Sequence, residues 1–97
     1  MSSRVIFADD DYKILQRKGD FVLVNRHGDY ENHGHFRKKK TCFLLMRLMR
    51  EKKVPFSKYL QGSVLRISLD EDYKSKVKRR INKMKNKQKY ININKGC

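Results

Sequence analysis

Between Arg4 and Asn25 the apolar residues fall into three short runs separated by turn-prone clusters, the pattern of successive strands. Arg4 to Ala8 carries the β-favouring Val5, Ile6 and Phe7 and ends at the acidic break Asp9, Asp10 and Asp11. Tyr12 to Arg17 alternates, with Tyr12, Ile14 and Gln16 on one face and Lys13, Leu15 and Arg17 on the other. Lys18, Gly19 and Asp20 then turn the chain into Phe21 to Asn25, which makes the clearest hairpin. Because Phe21, Val22, Leu23 and Val24 are all apolar, this third strand is expected to be central or covered on both faces. After a turn at His27, Gly28 and Asp29, residues 30–36 alternate again, with Tyr30, Asn32, Gly34 and Phe36 set against Glu31, His33 and His35. The alternation favours a fourth strand and the two glycines oppose it, so the pattern leaves the segment open.

The period changes after Lys40. Thr41 is placed to cap a helix running to about Lys53, with Cys42, Phe43, Leu44, Leu45, Met46, Leu48 and Met49 making it the central core helix. Val54, held out of helical geometry by Pro55, ends it. Phe56 to Gln61, followed by Gly62, has the length of one or two helical turns, and the short β-branched run Val64 to Ile67 reads as a strand. Two helices about a Val54 and Pro55 turn have the outline of a helix-turn-helix, but the second is too short and lacks a basic or amide-rich face. Ser68 with Glu71 three residues on forms a capping-box pattern that opens a last helix over about 69–88. Tyr73, Val77, Ile81 and Met84 draw a narrow apolar stripe along it, and cations fill the remainder. Residues 89–97 are expected to fray as a basic tail, or to add a small strand through Ile91 and Ile93.

Charge changes the picture most. Residues 1–36 hold five basic and six acidic residues, whereas residues 37–97 hold twenty basic and four acidic ones, so the net charge of +15 belongs to the rear of the chain. The 25 residues after Asp72 carry ten bases and no acid. So one-sided an excess resists compaction unless a polyanion or counterions screen it. With 97 residues, 38% hydrophobic and 36% charged, the chain has room for one lean core, taken as residues 1–88, and not for a large multi-layer enzyme. The longest apolar stretch, Cys42 to Met46, is far short of a membrane span, and Met1 to Asp10 does not read as a signal peptide. A cytoplasmic location is expected. Cys42 and Cys97 are too few for a disulfide framework.

Four cations, Arg37, Lys38, Lys39 and Lys40, stand beside Tyr30, His33, His35 and Phe36, an interleaving that suits single strands, whose bases stack on rings while phosphates meet cations. The competing reading sends Tyr30 and Phe36 into the core. On the last helix Lys76, Arg79, Arg80, Lys83 and Lys87 are the candidate phosphate contacts, giving affinity with modest sequence information. Glu31, His33 and His35 resemble a two-histidine, one-carboxylate metal set only in chemistry, since nothing holds a further donor, and no metal or cofactor is expected. No nucleophile motif, phosphate-binding glycine loop or carboxylate pair in an apolar setting is present, so no catalytic residue is assigned.

The expected fold is a small single-domain α+β structure. An N-terminal antiparallel hairpin or meander packs on the core helix at 41–53, followed by a short helix or turn and the basic C-terminal helix. The expected function is nucleic-acid binding, RNA favoured over DNA, in a regulatory or architectural role. The alternatives are a phage- or plasmid-type adaptor or inhibitor gripping an acidic protein surface, and a small metal-independent ribonuclease working through His33 or His35. Membrane binding is not expected, and the sequence does not speak to oligomeric state.

Overall fold

A computed structural model describes the backbone of residues 3–96 and the side chains of residues 3–83. Four strands, β1 (Arg4–Ala8), β2 (Tyr12–Arg17), β3 (Asp20–Asn25) and β4 (His33–Phe36), form an antiparallel meander in the order β1-β2-β3-β4. Three helices follow: α1 (Lys39–Arg50), α2 (Lys58–Ile67) and α3 (Glu71–Gly96). The architecture is the expected α+β one. Asp9 makes the β1–β2 turn by accepting the Asp11 and Tyr12 N–H groups on its side chain, at 2.9 and 2.8 Å. Gly19 closes the β2–β3 turn at φ 93°, a left-handed geometry open to glycine without steric cost.

All three helices contribute to a core on one face of the sheet. Tyr12, Ile14, Leu23 and Phe36 meet Cys42, Leu45, Met46 and Met49 of α1, Val64 and Ile67 of α2, and Tyr73 and Val77 of α3. Burying one such aliphatic side chain stabilises by about 1.5–3 kcal/mol, which is how a lean composition still closes a core. Two asparagines lock α2 to the sheet: Asn25 Nδ2 donates to the Ile67 carbonyl and Asn32 Nδ2 to the Arg66 carbonyl, each at 2.9 Å. These bonds satisfy acceptors that the end of a helix leaves without an intrahelical partner.

Several local expectations are corrected. The fourth strand is shorter than the alternating run, because residues 29–32 fold into a turn in which Asp29 N–H donates to Asn32 Oδ1 at 2.8 Å. The first helix spans Lys39–Arg50 rather than 41–53, so Thr41 lies within its first turn and Lys38 is the N-cap, with no side-chain cap. It ends early because Lys52 takes φ 58°, while the Lys52 and Lys53 N–H groups reach back to the Met49 and Leu48 carbonyls at 3.3 and 2.9 Å. That is a Schellman stop with lysine where glycine is usual.

Val64 to Ile67 is helical, not a strand, and α2 runs straight through Gly62. The Ser57 side chain caps it by accepting the Leu60 N–H, and Gln61, Val64 and Ile67 fall on one buried face. Helical spacing therefore prevails over β-branching. In α3 the capping oxygen comes from Asp70, not Ser68: Asp70 Oδ1 accepts the Tyr73 N–H at 3.0 Å, and Ser68 Oγ accepts from Asp70 N–H at 3.1 Å. The expected stripe docks as far as it is described, with Tyr73 and Val77 buried and Ile81 packed beside them. The side chains of Met84 and Lys87 lie outside the described residues, as does Cys97. The backbone of 89–96 continues α3 in place of a strand through Ile91 and Ile93.

Candidate functional site

The helices take one face of the sheet, and among the described residues no element covers the other. Its side chains come from the alternate positions: Lys13, Leu15 and Arg17 of β2, Val22 and Val24 of β3, and His33 and His35 of β4. Register sets them in rows, Lys13 opposite Val24 opposite His33, and Val5 opposite Leu15 opposite Val22 opposite His35. Together with Tyr30 they line a shallow basin of about 320 Å³. Its floor is apolar and its rim is cationic and aromatic.

The three rings form a connected series. The Tyr30 and His33 centroids are 5.4 Å apart, and those of His33 and His35 are 5.0 Å apart. Tyr30 is 90% exposed, yet its backbone is tethered: the ring of His33 lies with Nδ1 2.6 Å from the Tyr30 carbonyl, which can only accept, so Nδ1 is the donor. His33 Nε2 and His35 Nε2 are 3.2 Å apart, and His35 Nδ1 is 3.2 Å from Asp20 Oδ2. Asp20 also accepts from Arg17 Nε at 2.9 Å. Desolvation pushes the Asp20 carboxyl up, but the hydrogen bonds from Arg17 and His35 outweigh it and leave it below its ordinary value. The Asp20 carboxylate is thereby tied to two cation-capable partners beside the basin.

The structure thus brings Tyr30, His33 and His35 together and removes Phe36 from the set. Phe36 is 3% exposed and faces the helices, its ring edge-on to Tyr59 at 6.0 Å, so it cannot offer a face to a base. Tyr30 joins the histidine face instead of Phe36 because the turn before β4 breaks the alternation. Sequence reading missed Lys13, Arg17, Val22 and Val24 as neighbours of these rings. The alternation of β2 was there to be read, but the side of the sheet the helices cover was not.

Of the two cationic segments, one straddles the start of α1 and the other lies on α3. Arg37, Lys38, Lys39 and Lys40 are all exposed around the N-terminus of α1, whose first turn has no acid and whose N-cap makes no side-chain bond. Cations at this end oppose the helix dipole, an arrangement that an anion relieves. On α3, burial of Tyr73 and Val77 turns Lys78, Arg79, Arg80 and Lys83 outward, and they have no ion pair among the described residues. Lys76 is already engaged, its ammonium donating to the Lys52 carbonyl at 3.0 Å. Lys74 pairs with Glu71 at 3.3 Å.

Among the described residues no group of three or more His, Cys, Asp or Glu gathers to hold a metal ion, and no helix is long and apolar enough to cross a membrane. Cys42 is fully buried, and burial pushes its thiol up to about 11, so it stays a protonated core group. Compared with known proteins, the chain matches no family model, no curated protein and no solved structure.

Proposed function

We propose that this is a small basic nucleic-acid-binding protein of the cytoplasm, gripping mainly the phosphate backbone, with RNA favoured over DNA and a regulatory or architectural role. One observation carries the reading: α3 buries Tyr73 and Val77 and thereby presents Lys78, Arg79, Arg80 and Lys83 outward, with no acidic partner among the described residues. From Lys78 to Lys83 the helix rises only about 7.5 Å, inside the ~8 Å screening length of physiological salt. The four charges therefore repel one another, and a phosphate chain turns that repulsion into attraction. The exposed cations at the start of α1 supply a second contact of the same kind. The basin of rings favours unstacked bases, hence RNA.

The test is binding to single-stranded RNA, single-stranded DNA and duplex DNA across a salt series, beside a variant with Lys78, Arg79, Arg80 and Lys83 all changed to Gln. Log affinity against log salt is expected to fall with a slope steeper than about −3, and the variant to flatten it by up to about 3 on a single strand. Flat, weak binding to all three, indifferent to the variant, would reject the reading and leave the charge to a protein partner or to solubility.

A further inference from the structure

We propose that the open face of the sheet is a base-stacking site for single-stranded nucleic acid, separate from the phosphate-gripping helix, with Tyr30 as its principal platform. The inference rests on the nucleic-acid reading above and adds what that reading leaves open: how the protein would tell a single strand from a duplex.

Three features point to a single strand. The Tyr30 ring is 90% exposed while its backbone is held by His33, so a flat aromatic surface stands in solvent on an anchored backbone. His33 and His35 follow at 5.4 and 5.0 Å, turned by 59° and then 80° from ring to ring, so they wall one side of the Tyr30 face and leave Tyr30 as the platform. Lys13 borders the apolar floor of Leu15 and Val22, so a phosphate meets a cation while base faces meet carbon. The basin holds about 320 Å³, at the small end of ligand sites. A splayed base enters such a space, and a duplex, its bases stacked inside, does not. The rings decide against an acidic peptide as the favoured occupant: Arg17 is paired with Asp20, so beside Lys13 the surface is aromatic and apolar, which suits base faces better than a run of carboxylates.

The test compares the full chain with Tyr30→Ala and Tyr30→Phe. The probes are a ten-nucleotide RNA, its DNA counterpart, the same RNA annealed to its complement, an abasic chain of equal length, and polyglutamate. Tyr30→Ala is expected to weaken both single strands roughly 5- to 140-fold, the ~1–3 kcal/mol of one stacked base at 1.4 kcal/mol per factor of ten. Duplex, abasic chain and salt slope should not move, and Tyr30→Phe should bind as the parent does. If single-strand affinity ignores Tyr30→Ala while salt-dependent binding through Lys78, Arg79, Arg80 and Lys83 persists, the stacking site is wrong and the nucleic-acid reading stands. Absence of salt-dependent binding to any nucleic acid overturns both. An equal loss on duplex, or polyglutamate bound as tightly as RNA with the same dependence on Tyr30, also overturns the stacking site, the latter in favour of a protein-docking face.

Discussion

Asp70 shows how much a single side chain settles here. It caps α3 through the Tyr73 N–H and forms an ion pair with Lys52, tying the start of α3 to the stop of α1. The hydrogen bond from Lys52, and then that from the Tyr73 N–H, hold its carboxyl below the ordinary 3.8. A carboxylate depressed on folding adds stability that is fully present above its unfolded value and is lost as pH falls through the folded one. Thermal melts of wild type and Asp70→Asn should therefore differ at pH 7 and converge between about pH 5 and pH 2. Asn keeps the cap, so a gap independent of pH would mean the charge contributes nothing. The capping position was legible to within two residues, since Ser68, Asp70 and Glu71 all suit a helix start. Which oxygen reaches an N–H depends on the path of the chain leaving α2, where Ser68 instead accepts from Asp70.

At the scale of elements, α2 is where local reading and structure diverge most. Val64 to Ile67 is short, apolar and partly β-branched, and Gly62 before it looks like a helix end. The segment is helical because Val64 and Ile67 both reach the core only at helical spacing, over a sheet whose Gly34 leaves room for Ile67. Two glycine substitutions test this. A Cβ at Gly62 meets nothing within 4 Å, so Gly62→Ala should stabilise by about 0.5–1 kcal/mol, raising the melting temperature by several degrees. A Cβ at Gly34 would sit 3.0 Å from Ile67 Cδ1 and 3.1 Å from the Phe36 ring, so Gly34→Ala should melt below wild type. If both variants melted alike, the seating of α2 on β4 would be refuted. The strands were more legible: β1 and β2 coincide with their expected ranges and β3 differs by one residue, because turns with Asp9 and Gly19 leave few other registers.

The molecule as a whole is an electrostatically strained object. Twenty of its 25 bases lie after Phe36, and the compact state must hold them together. Added salt should raise the melting temperature steadily from low ionic strength, and the variant with Gln at Lys78, Arg79, Arg80 and Lys83 should melt above wild type in low salt, the difference closing as salt screens it. A salt-independent melting temperature in both would show that the excess charge does not burden the fold. Bound polyanion should stabilise in its own right, by about 2.7 kcal/mol at a hundredfold excess over Kd.

The sequence by itself determined the α+β class, the first three strands, the apolar stripe of α3 and the one-sided charge. These follow from periodicity, turn chemistry and counting, each of which acts within a few residues. Only the tertiary structure decided which face of the sheet the helices cover, and with it that Phe36 is buried while His33 and His35 stand on the other side. A strand pattern fixes that two sets of side chains are opposed, and both sets here contain apolar residues, so alternation cannot say which is inside. The choice falls to three helices packing on Tyr12, Ile14, Leu23 and Phe36, a long-range burial that no local window contains.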